Sequence, residues 1–227
     1  MKRFALFLLA AALCAASSVP KGFKAIFNGK DTKGWHISEV NHHGNSKGFS
    51  VKDGVLLVTQ DKPGNGGILL TDKKYKNFEI SLEVNPDYGC DGGLFLRSNE
   101  KGEAYQVMLD YLDGGTVGGI YGEGLKGLGR ETGTGDKSAK AWKEHWKKGE
   151  WNLIRARIEG DVPHIQVWMN GAQIVDWTDS ENRLIGGATD GRHICQPPNR
   201  PRPVGWLAAS TASAISGSKN SSRRSTR

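Results

Sequence analysis

The chain has 227 residues, 37% of them apolar and 31 of them glycine, which excludes a disordered polymer and suits one globular domain. Its formal charge of +7 belongs to one end: seven Lys and Arg follow Asp190 with no acidic residue among them, and the remainder balances 24 acidic residues with as many basic ones. A uniformly basic, nucleic-acid-gripping body is therefore excluded.

In chain order, Lys2 and Arg3 precede an apolar run from Phe4 to Ala16 and the small residues Ala15 to Ser18, the pattern of a cleaved export leader over residues 1–18. The run is too short to span a bilayer, so the expected location is periplasmic or secreted, with no membrane span. Strand patterns follow at Lys24–Phe27, Phe49–Thr59, Gly67–Leu70, Phe78–Val84, Gly92–Arg97, Tyr105–Tyr111, Trp151–Ile158, His164–Met169 and Gln173–Trp177. Short strands at this spacing predict an all-β antiparallel sandwich. Asp53-Gly54 and Asn170-Gly171 sit between alternating runs and predict tight hairpin turns. Lys137–Lys148 suits a short surface helix or an ordered loop, Gly118–Gly124 reads as a glycine-rich loop, and Trp35 reads as core. The cysteines form no disulfide framework: Cys14 lies in the leader, and Cys90 is expected as an unpaired, small apolar residue.

Alternation assigns faces. Phe78, Ile80, Leu82 and Val84 oppose Glu79, Ser81 and Glu83; Leu94 and Leu96 oppose Phe95 and Arg97; Val107 and Leu109 oppose Gln106, Met108 and Asp110. If the three strands form one meander, Glu79, Glu83, Arg97, Gln106, Met108 and Asp110 share an outer face. Arg155, Arg157, Gln166 and Trp168 are outward on later strands. His42 and His43, adjacent in an extended chain, would point to opposite faces, so no metal site is assigned to them. Carboxylates of the outer face are nonetheless compatible with a divalent ion, and no cofactor is assigned.

Ile26-Phe27-Asn28-Gly29-Lys30-Asp31 with Gly34-Trp35 resembles the opening of the 3-keto-disaccharide hydrolase domain family. Val51-Lys52-Asp53-Gly54, Asn77-Phe78-Glu79, Gly92 to Arg97, Tyr105 to Asp110, Gly119-Ile120-Tyr121, Glu150-Trp151-Asn152 and Asn170-Gly171 follow in the family's order. The resemblance covers residues 22–189. It implies a concanavalin-like jelly roll in a single domain, a carbohydrate substrate, and cleavage of glycosides already oxidised to a ketone at sugar C3 by a partner oxidoreductase in a bacterial exported pathway.

The family's usual last strand, roughly Phe-Arg-Asn-Ile-Arg, is absent in this frame. Residues 190–227 read instead as a basic Pro/Arg/Ser-rich tail, disordered or frameshifted. Codons for Ala209 to Ser221, read one frame over, are able to encode Phe-His-Arg-Phe-Arg-Asn-Ile-Arg-Val-Lys-Glu-Leu, so a frameshift between about Gly187 and Trp206 is expected. Nucleic-acid binding through the tail falls with that reading.

A ketone at C3 acidifies the C2 hydrogen, so a base removes it, the enolate expels the C1 substituent, and water adds to the enone. Such chemistry needs a positioned base and a group to receive developing negative charge. Asp110 and Glu123 are the candidate base and acid, Arg97 the candidate oxyanion partner, and Tyr121 a candidate proton donor. Gln106, Tyr121, Glu79 and Trp168 are candidate substrate contacts. Direct hydrolysis by paired carboxylates, and a non-catalytic carbohydrate-binding jelly roll, are the alternatives; Arg97 and Asp110 are also readable as a simple cross-strand ion pair.

Overall fold

The computed structural model describes residues 20–60, 65–128, 141–183 and the backbone of 206–215. The expected leader (1–18), Cys195 and most of the terminal tail lie outside the described residues. The described residues form thirteen strands: β1 (Lys24–Ala25), β2 (Trp35–Ile37), β3 (Phe49–Lys52), β4 (Val55–Val58), β5 (Leu69–Thr71), β6 (Phe78–Pro86), β7 (Gly93–Leu96), β8 (Ala104–Leu109), β9 (Val117–Glu123), β10 (Asn152–Glu159), β11 (His164–Met169), β12 (Ala172–Thr178) and β13 (Trp206–Ile215). A single helical turn covers 141–145. No helix among the described residues is long and apolar enough to cross a membrane.

Strands β12-β11-β10-β6-β13-β4-β3, with β1 also paired to β13, make a large antiparallel sheet; β7-β8-β9 make a second sheet and β2-β5 a short third. The two main sheets pack face to face. Phe78, Ile80, Leu82 and Val84 of β6, Ile154, Ala156 and Ile158 of β10, and Ile165 and Val167 of β11 meet Leu94 and Leu96 of β7, Tyr105, Val107 and Leu109 of β8, and Ile120 of β9 in one buried cluster. Each large aliphatic so removed from water contributes about 1.5–3 kcal/mol of transfer free energy.

Both expected hairpins form. Asp53 (φ 52°) with Gly54 (φ 81°) joins β3 to β4, and Asn170 (φ 49°) with Gly171 (φ 92°) joins β11 to β12; positive φ at both central positions matches the twist of antiparallel strands. Asn170 also clamps its turn to the core: its Oδ1 accepts from the Leu153 N–H at 2.9 Å, and its Nδ2 donates to His145 O at 2.7 Å. That contact seats the helical turn, whose Trp142 and neighbouring Trp146 pack their rings against Tyr111.

The expected meander of β6, β7 and β8 is not the arrangement adopted. Pro86 ends β6, where a missing N–H suits a strand terminus, and the Asp87–Gly89 turn (Gly89 φ 98°, Gly89 N–H to Tyr111 O at 2.7 Å) carries the chain across to the other sheet. The outward face of β6 and the outward face of β7-β8-β9 therefore lie on opposite sides of the sandwich. A second correction concerns 118–124, of which 118–123 belong to β9 rather than to a loop. Its glycines answer to packing: a Cβ at Gly118 would come 2.2 Å from Ile174 Cδ1, and one at Gly122 would come 2.7 Å from Leu128 Cβ.

One more strand comes from the end of the described chain. Residues 206–215, placed by their sequence in a tail without periodicity, form β13 between β6 and β4. Ala208 pairs with Val84 and Leu56, Ala214 with Ile80 and Lys24, and the register shifts between Ala209 and Ser213.

Candidate active site

On the face of β7-β8-β9 turned away from the main core, cross-strand pairing sets Phe95, Gln106 and Tyr121 in one row and Ala104 opposite Glu123 in the next. Gln106 lies flat over a missing side chain: a Cβ at Gly93 would come 2.5 Å from both its Cγ and its Nε2. Phe95 and Ala104 are sealed by Ile68 and Leu70, a small buried cluster apart from the main one.

The loop before β3 closes over this face. Asn41 Oδ1 accepts from the His43 N–H at 2.9 Å, Asn41 Nδ2 donates to Ser38 O at 2.9 Å, and His43 O accepts from Gly66 N–H at 2.8 Å. Gly44 (φ 124°) leaves the turn where a Cβ would strike Asn65 Oδ1 at 2.5 Å. Because His42 and His43 stand in a turn and not a strand, their rings lie together, 4.0 Å between centroids, and both reach Glu123. The His42 Nε2 and His43 Nε2 atoms are 3.3 Å and 3.6 Å from the same Glu123 Oε2. The expected opposition of the two histidines is thus reversed by the turn. His43 stacks edge-on to Phe95, and His42 Nδ1 donates to Lys101 O at 3.0 Å.

Burial perturbs this group. Loss of solvent, with His42 alongside, holds the His43 imidazole near 4 and therefore neutral at pH 7. Loss of solvent pushes the Glu123 carboxyl up; a hydrogen bond from His42 opposes that, and the charge of Asp91 adds to it. Asp91, two residues before Gly93 in the Cys90-Asp91-Gly92-Gly93 run, is thus the carboxylate whose field reaches Glu123.

The remaining sequence candidates divide. Gln106 and Tyr121 share the face with Glu123. Asp110 is buried just beyond the far end of β8, whereas Ala104, opposite Glu123, begins it; its backbone N–H is tied to Thr116 O at 3.2 Å. Arg97 is not at the site. It is buried with a positive φ of 54°, and its guanidinium donates to Lys76 O at 2.7 Å, Asn77 Oδ1 at 2.9 Å and Gly160 O at 2.8 Å. It fastens the ends of β6 and β10 to β7, and neither an oxyanion role nor an ion pair with Asp110 describes it. Glu79 and Trp168 lie on the outer face of the large sheet, linked through Arg155, whose Nε is 3.0 Å from Glu79 Oε1 and whose guanidinium sits 4.1 Å from the Trp168 ring centroid. Cys90 is a free, buried thiol whose Sγ–H donates to Leu109 O, as its reading as a small apolar residue requires.

His42, His43 and Asp91 were absent from the sequence candidates. Asp91 stands two residues before β7, where strand alternation does not reach, and the histidines needed knowledge of the turn.

The 3-keto-alpha-glucoside-1,2-lyase-like domain family matches residues 22–205. No curated protein matches the chain. Among solved structures, two candidate glycosyl hydrolases from Parabacteroides distasonis ATCC 8503 superpose with TM-scores of 0.55 and 0.56, at 19% and 20% identity, covering 87% and 85% of this chain and 95% and 98% of theirs. The catalytic domain of a laminarinase from Thermotoga petrophila RKU-1 superposes with a TM-score of 0.51 at 11% identity, over 82% of this chain and 92% of that one. At these identities the likeness is one of fold: the sandwich is a concanavalin-like jelly roll.

Proposed function

Because the chain belongs to the 3-keto-alpha-glucoside-1,2-lyase-like family, and is so a carbohydrate-active jelly roll, we propose that it cleaves glycosides whose sugar carries a ketone at C3. The observation that carries the reading is the convergence of His42, His43 and Glu123 beside Gln106 and Tyr121 on one face. Asp91 is the base that takes the C2 hydrogen. Electrons of that C–H bond move into the C2–C3 linkage and the ketone becomes an enolate. The enolate oxygen develops its charge beside the His42–His43–Glu123 group, where the Glu123 carboxyl, pushed up by burial, donates to it in its protonated form, in the place first assigned to Arg97. Collapse of the enolate breaks the C1–O bond, the leaving alkoxide takes the proton that Asp91 removed, and water then adds across the enone, hydroxyl to C1 and hydrogen to C2, to give the free keto sugar. Gln106 and Tyr121 hydrogen-bond the hydroxyls that remain.

The reading brings with it an oxidoreductase that supplies the ketone, and an exported chain whose leader is removed.

The test is an assay of the full chain on a 3-keto-glucoside and on its unoxidised parent, in D₂O. Release of the aglycone from the keto sugar alone, with deuterium entering C2 and with turnover lost in Asp91→Asn, supports elimination. Cleavage of both sugars without exchange makes the protein an ordinary glycosidase, and binding of both without turnover makes it a carbohydrate-binding module.

A further inference from the structure

We propose that His42, His43 and Glu123 bind one divalent transition-metal ion of the zinc and cobalt class, through His42 Nε2, His43 Nε2 and a Glu123 carboxylate oxygen. The reasoning begins with a tautomer. Lys101 O is only an acceptor, so the His42 Nδ1 facing it at 3.0 Å carries the hydrogen. The neutral ring then presents a bare lone pair at Nε2, and that lone pair faces a carboxylate oxygen at 3.3 Å. Two acceptors so placed need a proton or a metal ion between them. His43 Nε2, 3.6 Å from the same oxygen, brings a third donor atom toward the same point.

The spacing suits a metal. With metal–ligand bonds of about 2.0–2.1 Å, a tetrahedral ion holds its ligand atoms roughly 3.3–3.4 Å apart; the two measured separations are 3.3 Å and 3.6 Å, and all three donor atoms lie within 4.8 Å of one another. Two imidazoles and one carboxylate are a donor set that zinc and its neighbours accept in catalytic sites, where a fourth position stays open for water or substrate. The supporting layer is also present: a backbone carbonyl fixes the orientation of His42, as is usual for ligating histidines, and Phe95 packs against His43. The His42 side chain is 53% exposed while His43 and Glu123 are 11% and 13% exposed. The site is thus walled on one side and open on the other.

In turnover the ion would polarise the C3 ketone and hold the enolate oxygen; that role rests on the reading of the preceding section, whereas binding of the ion does not.

The experiment uses the untagged full chain, stripped with chelator and titrated with Co²⁺ alone, followed by its visible d–d absorption, and with Zn²⁺ by calorimetry. One ion per chain with a dissociation constant in the micromolar range or tighter is expected, weakened at least tenfold in Glu123→Gln and in His43→Gln. His42→Gln, at an exposed turn position, serves as the variant least able to disturb folding, and it too should weaken binding. His36→Gln is the control, because His36 stands between Asp72 and Glu100 elsewhere on the surface and should leave binding unchanged. Absence of binding up to millimolar Zn²⁺ and Co²⁺, or binding that follows His36 and ignores His42, overturns the proposal. An ion bound as predicted without cleavage of the keto-glucoside supports the metal site and sinks the substrate reading alone.

Discussion

The two outward faces of the sandwich carry similar polar residues at the same period of two, yet they differ in kind. On the large sheet, Glu79 meets Arg155, Arg157 meets Glu159, and His164, Gln166 and Gln173 gather around Asp176, mostly within reach of solvent. On the small sheet, Glu123 and His43 are largely withdrawn from water where the loop carrying His42 and His43 crosses the face, with the carboxyl pushed up and the His43 imidazole pushed down. Paired, hydrated charges have little free energy to give to chemistry; desolvated ones that face each other do. Alternation says that a residue points outward, and the covering loop says whether outward means water or a site.

The largest expected contrast is kinetic. Glu123→Gln should lower turnover of a keto-glucoside by about 10²–10⁴-fold, the span of a lost acid–base or charge-stabilising group, while Glu79→Gln leaves kcat/KM unchanged; circular dichroism verifies that both variants fold. Equal losses in the two would erase the distinction between the faces.

Next in size is a stability effect. Arg97→Met removes three hydrogen bonds and strands the carbonyls of Lys76 and Gly160, so unfolding in urea should show a loss of about 2–4 kcal/mol, with turnover per folded molecule retained. A large kinetic defect at unchanged stability would return the guanidinium to the reaction.

Smaller still, Trp168→Ala on the exposed face forfeits a contact with Arg155 worth about 0.5–1 kcal/mol, measurable as a shift in the urea midpoint and without consequence for sugar binding. Loss of affinity for the keto sugar in that variant would place a second binding surface on the large sheet.

The smallest expectation concerns acid. His164, then Gln166, hold the Asp176 carboxyl below its ordinary 3.8. A depressed carboxyl contributes stability that is fully present above its unfolded value and vanishes as pH falls through the folded one. Asp176→Asn should therefore flatten, slightly, the decline in melting temperature below about pH 4 seen in the parent chain.

Much of this was legible in the residues. The alternations of Phe78–Val84 and Tyr105–Leu109 gave strands with the right inward sets, and Asp53-Gly54 and Asn170-Gly171 gave their turns. Gln106, Tyr121 and Glu123 were named as functional and do share a face. What failed was sheet membership, because periodicity is blind to whether a connection such as Asp87–Gly89 folds back or crosses over. Glycine misled at 118–124, where it admits Ile174 and Leu128 rather than loosening the chain. Arg97 misled for another reason: a long cation in an outward register was read as chemistry, whereas its positive φ turns it to the backbone carbonyls of neighbouring strands. The histidine pair was misread by assuming extended chain across Asn41–Gly44.

β13 lies between β6 and β4 and also pairs with β1. A nascent chain offers β4 and β6 long before their common neighbour leaves the ribosome, and folding that proceeds from the N-terminus must wait for it. Until then both halves of the large sheet present open edges, the template for pairing with the wrong chain. The keystone of this arch is made after the stones it joins, so anything that alters or delays β13 acts on whether the protein is obtained at all before it acts on what the protein does.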